Sequence, residues 1–195
     1  MSSDSVASVL RRLDPEIWII TAADGARRGG LVSTTVAQAS IVRELPRITV
    51  GIAKQHATWP VLEASGTFAA HLIDESLIEW VWRFGLQSGR DIDKFDGLAL
   101  RTARSGAPLL ADALAWIECR VEARLDTGDR TLYLAEVIDG GLNRDARPLT
   151  MQRMLELASP DHLRQLKENL GRDGQIDATA IHHWREKAQV TRAAN

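Results

Sequence analysis

Short apolar runs separated by polar turns dominate residues 17–141 of the chain. Runs of this length, bounded by glycine-rich or charged segments, are typical of β-strands joined as hairpins. The clearest example is the run 115–125, which alternates with period two and returns through the turn 126–129 into the run 130–138. Because the strands follow one another without regular alternation with helices, the pattern predicts an antiparallel barrel.

Helical patterns interrupt this strand-rich region and also follow it. A short helix is predicted to have Thr58 as its cap and to end at Gly66, since Thr favours helix N-termini and Gly favours C-termini. Other segments show apolar residues at helical spacing. They are 1–13, 74–84, the stripe 151–157, and a pair at 159–170 and 178–189 that Gly171–Gly174 is predicted to separate.

The composition is that of an ordinary globular protein, and it excludes several functional classes. With 195 residues and a formal net charge of -2, the chain is long enough for a sizeable core and has no basic field that would favour nucleic acid. The lone Cys119 excludes an internal disulfide, suits a reducing cytoplasm and is most simply a buried small residue. No apolar run reaches the roughly 18 residues of a membrane helix, and the first residues lack the apolar core of a signal peptide.

The segment 29–40 is unusual for a core strand. It places Ser33, Thr34 and Thr35 in succession and continues with small residues up to Ser40. Small side chains let a ligand approach the backbone, and hydroxyl and N–H groups can hold phosphate oxygens without a Walker-type loop. The alternative interpretation is an ordinary strand with threonines that face solvent, because strands favour Thr in any case.

The histidines have simple structural interpretations. His71 lies in the middle of a predicted strand, where a core or dimer-facing histidine is favoured over a substrate contact. His182 and His183 point to different sides of a helix with no carboxylate pattern beside them, so no metal site is predicted. His56, in a loop beside Lys54, is left open between a solvated residue and a neighbour of a phosphate.

Several local motifs occur in a definite order between residues 16 and 141. They are Ile19-Ile20-Thr21-Ala22, Asp24-Gly25, Gly30-Leu31-Val32-Ser33-Thr34-Thr35-Val36-Ala37-Gln38-Ala39-Ser40, Val50-Gly51-Ile52-Ala53, Gly66-Thr67-Phe68-Ala69-Ala70-His71-Leu72, Arg83-Phe84-Gly85, Asp93-Lys94-Phe95, Pro108-Leu109-Leu110, Ala115-Trp116-Ile117-Glu118-Cys119-Arg120-Val121, Gly128-Asp129 and Glu136-Val137. In this order they resemble the flavin reductase family, the FMN-binding split barrel. Each motif is weak alone, whereas their joint order is fairly specific.

The resemblance implies a mainly β fold, an antiparallel split β-barrel with inserted helices and a C-terminal helical extension. We expect the flavin reductase-like domain to cover residues 1–145 and the extension to cover residues 146–195. The extension is expected to cover the mouth of the site or to extend a dimer. Because members of the family are typically homodimers with the flavin near the subunit interface, a homodimer is expected here.

The resemblance also implies where the cofactor binds. The strand 33–40 would line the flavin, with its hydroxyls near the phosphate and ribityl chain and the backbone of 37–39 at the edge of the ring. The segment 53–58 would close the phosphate end, at the positive N-terminus of the helix that follows. The implied cofactor-binding residues are Ser33, Thr34, Thr35, Ala37, Gln38, Ala39, Ser40, Ala53, Lys54, His56 and Thr58.

The chain departs from the family pattern at three places. The segment 43–46 stands where the family often has Asp-Pro-Pro, and His71 stands where Asn is frequent. Arg130 stands where many members have a His near the nicotinamide. An Arg there can pair with a phosphate of the nicotinamide substrate but does not suit proton handling.

The implied activity is NAD(P)H-dependent reduction of FMN, with FAD as the other flavin that the residues allow. A hydride passes from nicotinamide to flavin, so the chemistry belongs to the cofactors and no general acid or base is assigned. The reduced flavin would supply a partner monooxygenase. Two alternatives stay open: a flavoredoxin-like FMN electron carrier, and a non-enzymatic split barrel that binds flavin or haem.

Overall fold

The computed structural model describes residues 3–193, and its central feature is a curled antiparallel sheet. Within these residues there are nine strands, five α-helices and one 3₁₀ turn. The strands are β1 Trp18–Asp24, β2 Arg27–Ser33, β3 Ala37–Gln38, β4 Arg47–Ala53, β5 Thr67–Leu72, β6 Leu100–Thr102, β7 Pro108–Leu110, β8 Ala115–Asp126 and β9 Arg130–Leu142. The helices are α1 Ser3–Leu10, α2 Thr58–Ser65, α3 Ile78–Leu86, α4 Met151–Leu157 and α5 Pro160–Ala193, with the 3₁₀ turn at Glu75–Leu77.

The main sheet has the strand order β2-β1-β5-β8-β9-β4-β3, and all neighbours are antiparallel. Its two edge strands, β2 and β3, are consecutive in the sequence and are separated by only the three residues 34–36. Such a link reaches at most about 14 Å. The edges of a flat seven-stranded sheet would lie roughly 29 Å apart. The sheet must therefore curl until its edges meet, which confirms the predicted split barrel.

Thr35 joins the two edges of the curled sheet. Its hydroxyl donates to the carbonyl of Gly51 on β4 at 3.0 Å and accepts from the Gly51 N–H at 3.1 Å. The Ser33 hydroxyl, at the end of β2, lies 3.1 Å from the hydroxyl oxygen of Thr35. One side chain thus bridges the seam through main-chain groups.

Two apolar clusters lie on the two faces of the sheet. Adjacent residues of β1 show the division, since Ile19 and Ile20 are both fully buried but belong to different clusters. The inner cluster fills the barrel, and Val61 and Leu62 from α2 close one end of it. The outer cluster packs the sheet against α3 and α4. Its largest fully buried members are Ile17, Ile19, Ile73, Phe84, Leu110 and Leu149.

The predicted hairpins are confirmed, and three local predictions are wrong. The segment 29–40 is not one strand: β2 ends at Ser33 because the chain crosses from one edge of the sheet to the other. Thr58 does not cap α2 but is its first residue, after Ala57. The break predicted at Gly171–Gly174 does not occur, and α5 runs through it. No helix of the described residues combines the length and apolar character needed to cross a bilayer.

His71 is a core histidine, as the sequence favoured. It is fully buried on β5. Its Nε2 accepts from the Leu110 N–H at 3.1 Å, so its Nδ1 carries the proton and donates to the Ile19 carbonyl at 3.0 Å. Burial lowers the pKa of His71 from 6.5 to about 4. The neutral ring of His71 therefore links β5 to β1 and β7 through these two hydrogen bonds.

We expect His71 to make the fold sensitive to acid. His71 takes up a proton near pH 6.5 in the unfolded chain and near pH 4 in the folded protein. The stabilisation of the fold by neutral His71 is therefore complete above pH 6.5 and is lost as the pH falls from 6.5 to 4. The loss is on the order of 3 kcal/mol. Urea unfolding of His71→Asn across pH 4–7 should show a correspondingly weaker pH dependence. The exposed His182→Asn should retain the wild-type dependence, and an equal change in both variants would contradict the assignment.

Candidate functional site

Two adjoining cavities open where α2 begins, beside β2, the end of α3 and the loop 87–95. Their volumes are about 610 Å³ and about 350 Å³, and both are lined by Gly30, Thr58 and Lys94. Ligand-binding cavities in proteins commonly have volumes of this order. The site is therefore large enough for a cofactor and lies at one end of the barrel.

Strand β2 approaches its neighbours here so closely that only glycine fits. A Cβ atom at Gly29 would lie 2.8 Å from the Cα of Thr58, and one at Gly30 would lie 2.5 Å from the ring of Phe84. The pair Gly29-Gly30 thus lets α2 and α3 pack directly on the strand backbone. It also leaves the Gly30 carbonyl accessible to Lys94.

Lys94 carries a buried charge without an acidic partner. The residue is 6% exposed, and its Nζ donates to the carbonyls of Gly30 at 3.1 Å and Phe84 at 2.8 Å. No carboxylate of the described residues forms an ion pair with it. Burial lowers the pKa of Lys94 to about 8. Since buried charges in proteins are normally paired, the cavity has the electrostatics of an anion site.

The N-terminus of α2 adds to this character. No side chain caps it, because the residue before Thr58 is Ala57. The start of a helix carries partial positive charge, which favours an anion nearby. In α2 the Trp59 N–H donates to the His56 carbonyl at 3.0 Å and Pro60 has no N–H, so the donor that remains at the helix start is the Thr58 N–H. Thr58 itself is buried and lies against Gly29.

His56 and Arg90 complete the polar wall. Burial lowers the pKa of His56, Asp173 opposes this shift, and the cations Lys94, Arg130 and Arg90 add to it. The imidazole is therefore neutral near pH 7 and can donate or accept a hydrogen bond. The Arg90 guanidinium holds the loop by donating to the carbonyl of Gln55 at 2.9 Å.

Arg130 is held by two carboxylates. Its Nε donates to Asp129 at 2.5 Å and its NH2 group donates to Asp177 of α5 at 3.1 Å. The other oxygen of Asp177 accepts from the Gln55 amide at 3.3 Å. The residue predicted to meet the nicotinamide substrate is thus tied to α5.

Helix α5 forms the far wall of the larger cavity. Near its start, His162 stacks on Trp82 with ring centroids 4.3 Å apart. Near its end, Trp184 lies against Gly128, where an added Cβ would be 2.7 Å from the Trp184 Cβ. The lining residues between these anchors are Gln165, Asn169, Arg172, Asp173 and Ile176.

The predicted cofactor residues fall in different surroundings. His56 and Thr58 line the large cavity. Ala37 and Gln38 line a third cavity of about 450 Å³ with Trp18 and Val36. Of the predicted strand and loop residues, Ser33 and Ala53 are buried, Thr34 and Ser40 are half-buried, and Thr35, Ala37, Gln38 and Ala39 are exposed.

Lys54 has a different neighbour from the one predicted. Its Nζ lies 2.6 Å from Asp126 at the end of β8, and it does not line the large cavities. The buried cation in the cavity wall is Lys94, which the sequence did not single out as a site residue. Its motif, Asp93-Lys94-Phe95, is a charged loop, and nothing in such a loop signals that the lysine is buried. Among the described residues, no group of three His, Cys, Asp or Glu side chains is placed to hold a metal ion.

Comparison with known proteins identifies a family from the sequence and a shared fold among solved structures. Residues 10–155 match the model of the flavin reductase like domain. The ferric-chelate reductase (NAD(P)H) of Archaeoglobus fulgidus is 31% identical over 136 residues, which are 69% of this chain and 79% of that protein. The high molecular weight rubredoxin of Moorella thermoacetica is 32% identical over 143 residues, which are 72% of this chain but only 62% of that protein.

Solved structures share the fold. The nitrilotriacetate monooxygenase component B homologue from Mycobacterium thermoresistibile superposes with a TM-score of 0.66 at 26% identity, covering 81% of this chain and 93% of that one. The flavin reductase HpaC, solved with NADP+, has a TM-score of 0.66 at 23% identity, covering 78% of this chain and 95% of that one. Helix α5 lies outside the matched domain.

We expect Lys94 to impose an alkaline pH dependence on the stability of the ligand-free protein. The lysine loses its proton near pH 8 in the folded protein and near pH 10.5 in the unfolded chain. The contribution of Lys94 to the free energy of unfolding is therefore most favourable above pH 10.5, and it is lost as the pH falls towards 8. Between these limits, wild type should gain on the order of 3 kcal/mol relative to Lys94→Met. Urea unfolding from pH 7.5 to 10 measures this difference.

Lys54→Met is the control for this measurement, because Lys54 is paired with Asp126 outside the cavities. It should follow the wild-type pH dependence. A Lys94→Met protein that keeps the wild-type dependence would show that the ammonium of Lys94 is not desolvated.

Proposed function

From the chain's membership of the flavin reductase family, which makes it a flavin-dependent oxidoreductase, we propose that it transfers a hydride from NAD(P)H to FMN. The observation that carries the proposal is the buried ammonium of Lys94 at the uncapped start of α2. A phosphate monoester supplies the missing counter-charge and accepts hydrogen bonds from both. The cavity of about 610 Å³ gives it room.

The fit of these residues to a flavin phosphate is good. Lys94 and the N–H of Thr58 at the start of α2 would hold the phosphate, with the Thr58 hydroxyl and the neutral His56 beside it. Lys54 is proposed to lie farther from the phosphate and to add positive charge at this end of the site. Gly29 and Gly30 have no side chains that would take up this space.

The flavin ring is proposed to lie along the segment that links β2 to β3. The predicted contacts are Ser33, Thr34, Thr35, Ala37, Gln38, Ala39, Ser40 and Ala53. Thr35 acts there mainly by holding the backbone, since its hydroxyl is engaged with Gly51. The exposure of Ala37, Gln38 and Ala39 supports this assignment, because a ligand or a second subunit can reach them.

The protein's part in the chemistry is to bind, orient and exclude water. The flavin, when bound, supplies the hydride acceptor, and no side chain is assigned as a general acid or base. Arg130 is proposed to meet a phosphate of the nicotinamide substrate. It lies on β9 opposite Ala53 of β4, beside the proposed flavin site.

The proposal extends to the assembly. Ile41, Val42 and Leu45 are exposed next to β3, and Ile41 is 95% exposed. Exposed apolar residues in one segment favour burial against another subunit, here a second copy of the chain. The component B homologue is named as part of a monooxygenase, which supports a partner monooxygenase for this chain. A cytoplasmic location is supported by the single buried thiol of Cys119.

An electron carrier is the second candidate. The ion pairs of Arg130 with Asp129 and Asp177 favour it, because they neutralise the residue proposed to meet the nicotinamide substrate. A carrier would bind FMN and receive electrons from a protein instead. Similarity to the diflavin flavoprotein A 1 of Synechocystis, 30% identical over 130 residues, is compatible with either function.

The deciding experiment is anaerobic addition of NADH or NADPH to the flavin-loaded protein while the flavin absorbance is followed. Bleaching on the timescale of turnover supports the reductase and identifies the donor. Bound flavin that stays oxidised with both nucleotides, but is reduced by a reduced redox protein, supports the carrier. Absence of flavin binding contradicts both.

Substitution of Lys94 should weaken FMN binding. The Lys94→Met protein loses a charge-assisted contact to phosphate, with a cost of about 1.5–3 kcal/mol, or roughly 10- to 150-fold in Kd. Quenching of FMN fluorescence on titration measures the affinity. Lys54→Met should change it much less. If Lys54→Met has the larger effect, the phosphate lies at the position predicted from the sequence and not in the cavity.

A further inference from the structure

Helix α5 lies against the rest of the protein along one face, and the middle of that face is polar. A helix packed on its own domain normally turns its apolar stripe inward. In the middle of α5 the inward positions are Asn169, Asp173 and Asp177, while Leu163 and Leu170 are exposed. Between residues 160 and 181 the half-buried positions, at spacings of mostly three and four, are His162, Leu166, Asn169, Asp173, Asp177, Ala180 and Ile181.

This polar stretch faces the cationic wall of the large cavity. Asp173 lines the cavity, pairs with the neighbouring Arg172 at 3.2 Å and acts electrostatically on His56. Asp177 pairs with Arg130 and accepts from Gln55. The middle of α5 thus brings carboxylates to the place where the cavity favours an anion.

The same part of α5 is intrinsically weak as a helix. Gly171 and Gly174 lie within it, and an added Cβ at either position would meet nothing within 4 Å. Neither glycine is therefore needed for close packing, and each makes the helix easier to unwind. The aromatic contacts lie at the two ends, where His162 stacks on Trp82 and Trp184 lies on Gly128, whereas the middle is held by polar contacts of Asn169 and Asp177.

We propose that residues 169–177 of α5 form an autoinhibitory cover, in which Asp173 and Asp177 occupy the anion site electrostatically until a phosphate-bearing ligand displaces them. The proposal rests on the proposed function in that the natural ligand is the phosphate of FMN. A phosphate dianion beside Lys94 and His56 repels Asp173, because like charges at short range in a partly desolvated site are unfavourable. The cover then opens by unwinding at Gly171 and Gly174.

A supporting role for Asp177 would predict the opposite change in the affinity for anions. If Asp177 served only to hold Gln55 and Arg130 in a binding-competent position, its removal would weaken anion binding. If the carboxylates compete with the anion, their removal strengthens it. The sign of the change in affinity therefore decides between a cover and a support.

The first test is the double variant Asp173→Asn/Asp177→Asn in the full chain, which keeps shape and removes two charges. Its affinities for inorganic phosphate and for FMN should rise by at least about fivefold, the lower end of typical coupling between sites. Isothermal titration measures phosphate, and fluorescence quenching measures FMN. Glu168→Gln is the matched control, because it removes one charge from an exposed position of the same helix. A gain no larger than the control's, or a loss of affinity, overturns the proposal.

The second test changes the helix without touching the charges. Gly171→Ala/Gly174→Ala adds two methyl groups that meet no neighbour and stiffens the helix. If ligand entry requires unwinding, the affinity for phosphate should fall by up to about fivefold for each substitution. Unchanged affinity means that α5 does not open.

Hydrogen exchange gives a readout that does not depend on activity. In wild type, saturating phosphate should speed exchange of the amides in residues 169–180 and leave 160–166 unchanged. Slower or unchanged exchange in 169–180 contradicts opening. If FMN fails to bind while phosphate binds and shows these effects, the proposed cofactor is wrong and the cover stands. If phosphate binds neither wild type nor the double Asn variant, the cover is wrong.

Discussion

Closure of the sheet is the constraint on which the rest of the structure depends. Three residues join strands at opposite edges, so the edges must meet, and Thr35 holds them together through both main-chain groups of Gly51. The crossing chain cannot pair along its whole length. It leaves the short strand β3 and its flanks exposed beside the barrel. The segment proposed to bind the flavin is thus irregular because of the topology.

Much of the fold could be predicted from the sequence, because alternation and turn residues act locally. The pair β8–β9 and the burial of His71 and Cys119 followed from such patterns. The seam at Thr35 did not, because a run of small residues looks the same in a strand and in a crossing. The continuous α5 overrides the local preference of Gly171 and Gly174 through contacts at its two ends.

The candidate site was predicted by segment and only partly by residue. The loop 53–58 and the start of α2 do form a cavity wall, but the buried cation is Lys94 and Lys54 is paired with Asp126. Both lysines lie in charged loops, and the difference arises from tertiary packing. The glycine pair of β2 draws α3 and the loop after it close enough for carbonyl groups to hold one ammonium. The fold thereby keeps a charge that has no acidic partner among the described residues.

The strand pairing also implies an order of assembly. The hairpins β1–β2 and β8–β9 join segments that are adjacent in the chain, whereas β4 pairs with β9 across about 80 residues. Contacts between distant segments carry the larger loss of chain entropy and form late. The pairing of β4 with β9, and with it the closure of the barrel, therefore belongs to the last stage of folding. A flavin that binds only the closed barrel would draw the chain to completion by mass action.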